Sequence, residues 1–259
     1  MPDFNLQAIV LRRMQFAETD NILTLYSRER GRISAIAKGA RKPVSRLSGA
    51  CEVLNHSRFQ LASAKNLQVV RQAEIVASFA PLREDLLRLA NGLYIADLLG
   101  AFVVDGDPQP DLFDLLEFSL HLIAAVAAPT LAARWFELRL LDHLGYAPIL
   151  DECVYCGTSL VPAGRVITAL SAGQGGVLCS RHAHPETNDD QAALDRKSLH
   201  LLHLLYAART SDELAATKLL DRTDISDHQA AAALRMYIRY RNDRELKSLT
   251  FLDTVRGDV

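Results

Sequence analysis

Apolar positions in the first eighty residues fall in short blocks separated by polar or glycine-bearing turns. Leu6 to Arg13, Ile22 to Ser27, Gly31 to Lys38, Cys51 to Leu61 and Asn66 to Phe79 are rich in Ile, Val, Leu and Phe, the composition of strands. Between them lie Glu18-Thr19-Asp20-Asn21, Arg28-Glu29-Arg30-Gly31 and Ser63-Ala64-Lys65-Asn66. Strands spaced by about ten residues, with no long helix among them, predict a five-stranded barrel of the OB type, with an SH3-like barrel as the competitor.

After Pro81 the apolar period becomes helical. Leu82, Leu86, Leu89, Leu93, Ala96 and Leu99 form one stripe. Pro110 introduces a second helix over 111–126, with Leu112, Leu115, Leu116, Leu120 and Ile123 on its face. A third runs from Leu131 to Leu144, carries the lone Trp135 and stops at Gly145, with Pro148 three residues on. Helical patterning resumes over Gln191–Arg209, Ser211–Leu220 and Ser226 to about Leu249. The pattern predicts an α+β, multi-domain chain. Residues 1–80 form the OB-fold β-barrel, and 81–259 an α-helical domain with an insertion at about 150–185.

The insertion carries the most specific chemistry. Cys153-Val154-Tyr155-Cys156-Gly157 and Cys179-Ser180-Arg181-His182 have the C-x2-C and C-x2-H spacing of a tetrahedral zinc site. Two intervening residues let one tight turn present both ligands, and Gly157 supplies backbone freedom after the second cysteine. Four protein ligands fill the coordination sphere, so the expected Zn2+ is structural. His184 lies near enough to substitute for His182. Cys51 is far off and is expected to be a small buried hydrophobe. His184-Pro185-Glu186 matches the H-x-E of nucleobase deaminases, but no cysteine follows Cys179 to complete their second motif. Neither an H-E-x-x-H helix, a P-loop, a dinucleotide fingerprint nor a G-x-S-x-G elbow is present, and the chain is expected not to be an enzyme.

Charge changes the picture of the barrel. The chain has 259 residues and a net charge of −2, with 49% hydrophobic and 23% charged residues, which fits a well-cored globular protein. Residues 1–83 hold 13 basic against 6 acidic side chains, leaving 16 against 25 in the remainder. From Arg30 to Cys51 there is no acid, but there are Arg30, Arg32, Lys38, Arg41, Lys42 and Arg46. These six are the candidate contacts to a polyanion, with Gly39, Ala40 and Ser45 leaving room for a phosphate backbone. Phe59 and Tyr26 are either stacking faces or core. The alternative is an interaction adaptor whose basic barrel docks an acidic protein. Met1-Pro2-Asp3-Phe4 has neither the basic start nor the apolar run of a secretory signal. The apolar stretch Leu120–Leu131 falls short of the roughly 20 residues that span a bilayer. With only four cysteines, three of them clustered, a reducing cytoplasm is expected.

Four stretches of the chain form a distinctive combination. They are Ala8-Ile9-Val10-Leu11-Arg12-Arg13 with Glu18-Thr19-Asp20, and the loop Ala37-Lys38-Gly39-Ala40-Arg41-Lys42-Pro43-Val44-Ser45-Arg46. The third is Phe136–Leu141 leading through Gly145-Tyr146-Ala147-Pro148 to Cys153/Cys156 and closing at Gly175–Cys179, and the last is Leu246-Lys247-Ser248-Leu249. Together they resemble the RecO family of bacterial DNA repair and recombination mediators, and the resemblance covers nearly the whole chain. It implies an OB-fold, a helical domain, a zinc-binding insertion and a non-enzymatic role. It also implies binding of single- and double-stranded DNA, strand annealing and contact with single-stranded DNA-binding protein through that protein's acidic C-terminal tail. RecR would be a partner and RecA an indirect one, in a cytoplasmic, nucleoid-associated setting without membrane contact. His182 stands where many members carry cysteine, and histidine serves equally as a zinc ligand.

Overall fold

The computed structural model describes residues 3–63, 67–160, 168–242 and 244–257. Three residues of the expected turn at 63–66, Ala64 to Asn66, lie outside that set, as do residues 161–167 of the expected metal-bearing segment. In chain order the strands are β1 (Asp3–Phe16), β2 (Asp20–Ser27), β3 (Gly31–Ala37), β4 (His56–Ala62), β5 (Gln68–Ala77), β6 (Thr168–Ser171), β7 (Gly176–Leu178) and β8 (Gln191–Leu194). The helices are α1 (Pro81–Glu84), α2 (Leu86–Phe102), α3 (Pro110–Ala125), α4 (Pro129–His143), α5 (Arg196–Ala207), α6 (Ser211–Ala216), α7 (His228–Arg241) and α8 (Lys247–Arg256). They form two compact units, one running to Ala125 and resuming at Leu246, the other spanning Val126–Glu245.

The first unit is built on a closed barrel in the order β1-β2-β3-β5-β4. β1 is long enough to serve two neighbours, pairing with β4 over Asp3–Ile9 and with β2 over Ala8–Phe16. A short parallel seam, Ala35 beside Gln68 and Ile36 beside Val69, closes the ring. This is the OB strand order, which settles the choice between barrel types. Leu6, Ala8, Val10, Leu23, Leu25, Ala35, Phe59 and Leu61 fill the interior, as strict alternation requires of a small barrel. Phe59 is fully buried there, and Tyr26 is fully buried against Phe113 of α3, so both are core and neither is a stacking face. Cys51 is also buried in the barrel, but in a 3-10 turn instead of at a strand start. Residues 51–55 turn before β4: Leu54 has φ +72, Asn55 N–H donates to Glu52, and Asn55 Nδ2 donates to the Gly49 carbonyl.

The helix expected from residue 82 is broken once. Asp85 leaves the helical region and its carboxylate caps α2 by accepting from Arg88 N–H at 2.8 Å. At the far end of the chain, Asp97 of α2 accepts from both the N–H and the hydroxyl of Ser248, at 3.2 and 2.8 Å. That places a negative charge against the first turn of α8, where unpaired N–H groups favour it.

In the second unit, α4 is buried along nearly its whole length. Trp135 Nε1 donates to the Ala208 carbonyl at 2.7 Å, tying α4 to the end of α5. Two expected long helices are divided here. Residues 191–194 form β8, which joins β6 and β7 in a three-stranded sheet, and α5 starts only after Asp195 accepts from Ser198 N–H at 2.7 Å. The expected helix from Ser226 stops at Arg241, and α8 belongs to the other unit. α6 starts at the expected Ser211, with Thr210 as its N-cap in a capping box with Glu213, and it ends at Ala216, short of the expected Leu220.

Candidate metal centre and nucleic-acid interface

Cys153, Cys156, Cys179 and His182 converge, with all four ligand atoms within 4.8 Å of one another. Cys153 Sγ lies 3.6 Å from His182 Nδ1, Cys179 Sγ 3.2 Å from the same nitrogen, and Cys156 Sγ 3.9 Å from Cys179 Sγ. A tetrahedral zinc with bonds of about 2.0–2.3 Å has ligand–ligand edges of roughly 3.5–3.8 Å. The donor set and its spacing therefore fit a structural zinc. His184, the alternative fourth ligand, is outside the cluster, and its backbone N–H is bound to Gln191.

Backbone geometry presents the ligands. Gly157 N–H donates to Cys153 at 2.8 Å with Gly157 at φ +68, and on the opposite turn Ala183 N–H donates to Cys179 at 2.8 Å. Val154 N–H donates to Val177 at 3.0 Å, which fastens the first turn to β7. Gly176 makes that approach possible, since a Cβ there would stand 2.6 Å from the Ile149 carbonyl oxygen. The Tyr155 ring lies 4.4 Å from the His182 ring and shields one side. Hydrogen bonds from the Thr158 hydroxyl and backbone, aided by Cys153 and Cys179, lower the Cys156 thiol to about 6. A thiolate at neutral pH is the form that binds metal. When bound, the ion would hold the two turns together, joining the exit of α4 to β7 and the segment before β8.

The six basic residues do not form one cluster. Lys38, Arg41, Lys42 and Arg46 share the loop after β3, and all four are exposed. None has an ion-pair partner among the described residues. The loop is anchored by Ala40 and Leu47, which pack on the barrel core, and by Gly39 N–H, which donates to Asp20 at 2.8 Å. Arg41 N–H donates to the Thr19 carbonyl at 2.9 Å, fixing the loop beside the β1–β2 turn. Gly39 adopts φ +67, which a side chain would strain.

Arg30 and Arg32 lie at the opposite end of β3, roughly 20 Å along a seven-residue strand. The Arg30 guanidinium covers the Phe4 ring at 3.9 Å. Arg32 is differently committed: Nε donates to Asp105 at 2.5 Å, a terminal nitrogen donates to the Gly100 carbonyl at 2.6 Å, and the side chain is only 15% exposed. The acid-free run thus contains one group of four exposed cations without an ion-pair partner among the described residues, and two residues at another edge. Sequence reasoning passed over Arg12, Met14 and Phe16, which emerge exposed on the β1–β2 hairpin next to the basic loop. Alternation continued from the inward Ala8 and Val10 would send them into the barrel, so no local sequence signal marks their exposure.

Two family models match the chain. Recombination protein O N terminal covers residues 1–79, and Recombination protein O C terminal covers residues 83–250. Among curated relatives, a DNA repair protein RecO of Symbiobacterium thermophilum is 37% identical over 266 residues, covering 98% of both chains. Proteins of the same name from Desulforamulus reducens and Pelotomaculum thermopropionicum are 36% and 38% identical, over 98% and 96% of this chain and 95% and 93% of theirs.

Proposed function

Because the chain belongs to the recombination protein O family, we propose that it is a mediator of DNA repair and homologous recombination. It binds single- and double-stranded DNA through Lys38, Arg41, Lys42 and Arg46. Arg30 is an outlying contact, and Arg32 lends its guanidinium to the fold. It anneals complementary strands and, with RecR, assists RecA loading onto DNA coated by single-stranded DNA-binding protein. The acidic C-terminal tail of that protein is a further partner.

The observation that supports this reading is the anchored loop with four exposed cations, none of them in an ion pair among the described residues. Phosphate recognition without base readout needs positive charge held in place at a barrel edge, and annealing two arbitrary strands requires that indifference to sequence. Zinc bound by Cys153, Cys156, Cys179 and His182 has a structural role, since these ligands complete its coordination. No helix among the described residues is long and apolar enough to cross a membrane, which is compatible with a cytoplasmic, nucleoid-associated protein.

The test is a fluorescence strand-annealing assay on a variant carrying Lys38→Glu, Arg41→Glu, Lys42→Glu and Arg46→Glu. Annealing should be lost while the melting profile is retained. Undiminished annealing by the folded variant would move the DNA surface elsewhere.

A further inference from the structure

The outer face of β1–β2–β3 is divided in two by the helices of its own unit. Residues directly opposite one another project to the same side of a sheet. Three rows therefore cross this face: Ile9–Tyr26–Arg32, Arg12–Thr24–Ser34 and Met14–Ile22–Ile36, with Phe16 opposite Asp20 beyond them. The first row is covered. Tyr26 stacks on Phe113 and donates to the Gln109 carbonyl at 3.3 Å, while Arg32 is held by Asp105 and Gly100. The other rows are open, with Met14 and Phe16 each 47% exposed and Ile22 and Ile36 half-buried between them and β5.

A bulge creates this arrangement. Ala8 and Val10 point into the barrel, so Arg12, Met14 and Phe16 would follow them inward in a regular strand. The register shift between Val10 and Arg12 reverses the alternation and turns all three outward. Cations flank the resulting apolar strip. Arg12 stands in the next row, Lys38 follows β3, and Arg41 reaches the Ala17 carbonyl at 3.4 Å, next to Phe16. Of the nearby carboxylates, Asp20 accepts from Gly39 and Thr19, and Glu18 is exposed in the turn.

We propose that this half-face is a stacking platform for the unpaired bases of single-stranded nucleic acid. It rests on the DNA-binding reading above and adds a preference to it. Phe16 offers the ring, and Met14 with Ile22 and Ile36 forms the apolar floor. Arg12, Lys38 and Arg41 take the phosphates. An acidic protein segment would satisfy the cations, but a nucleic acid strand satisfies the ring and the cations in alternation. Duplex bases are already stacked, so a duplex engages only the cations.

Wild type, Phe16→Ala and Phe16→Trp are compared by anisotropy with labelled oligothymidine and a labelled blunt duplex. Base–aromatic stacking is worth on the order of 1–3 kcal/mol, so Phe16→Ala should weaken single-strand binding by roughly tenfold. Duplex affinity should stay within about twofold, and Phe16→Trp should restore single-strand binding. The exposed tip tolerates both changes, which unaltered melting verifies. Wild-type binding with no effect of Phe16→Ala, or equal losses for both DNAs, overturns the platform alone. Failure of the wild type to bind either DNA at low salt overturns the DNA-binding reading as well.

Discussion

Arg32→Ala separates a structural cation from a DNA-binding one. The side chain makes two interactions of unequal worth. Its pair with Asp105 has a partner 72% exposed, so solvent screening limits it to about 0.5–1 kcal/mol. The second donates to the Gly100 carbonyl at 2.6 Å, in the last turn of α2 (Leu86–Phe102), where carbonyls lack helical partners and favour positive charge. A charge-assisted bond to such a group contributes about 1.5–3 kcal/mol. The expected destabilisation is therefore about 2–4 kcal/mol, or roughly 5–12 °C for a unit of this size. Differential scanning calorimetry reads the shift, and anisotropy on the same samples below the transition should show DNA affinity changed by less than about twofold, the reduction of one distant charge. Arg32→Lys should recover only part of the stability, because an ammonium cannot reach both acceptors in the guanidinium's fixed fork. An unchanged melting temperature together with a tenfold loss of DNA affinity would refute the assignment and return Arg32 to the interface.

Chelation, or Cys153→Ser, should release one zinc per chain and lower the melting transition of the 126–245 unit while sparing the barrel unit, read by metal analysis and calorimetry. Full stability without metal would remove the structural role. In chelated protein the thiols should differ sharply. Cys156, held near 6 by its Thr158 hydrogen bonds, should alkylate with a midpoint near that pH, whereas burial holds Cys51 near 12 and unreactive at neutral pH. Mass-spectrometric alkylation profiles from pH 5 to 9 check this, and equal reactivity would contradict it. Asp97→Ala should cost about 1–3 kcal/mol by stranding Ser248 and the first turn of α8, measured by urea unfolding. Asp97→Asn, which keeps an acceptor, should cost less.

The barrel was legible in the sequence because its interior positions alternate with turns at regular intervals, and each strand carries its own β-branched signal. The metal ligands were legible because x2 spacing is a local property of one turn. Choosing His182 over His184 required three dimensions, since both are the right residue type within two positions. Other features depend on partners far along the chain. Gln191–Leu194 reads as part of a helix, yet pairs with β6 because Asp195 interrupts the helix by capping it. The final helix is patterned like a continuation of the one before it, but its first turn meets Asp97, about 150 residues earlier in the chain. Arg32 looked like its neighbours in an acid-free run, because Asp105 lies 73 positions away. The outward turn of Met14 and Phe16 was hidden by a single-residue bulge, which no alternation rule anticipates.

The central claim is that the loop from Lys38 to Arg46 binds DNA phosphates, and the most direct measurement is the salt dependence of single-strand affinity. Each phosphate neutralised on a single strand contributes about −0.7 to the slope of log affinity against log salt. With the four loop cations engaged, raising salt from about 50 to 200 mM should weaken anisotropy-measured binding roughly 50-fold. The fourfold charge-reversal variant should not bind at either salt. No binding by the wild type at low salt, or tight binding that ignores salt, would contradict the claim.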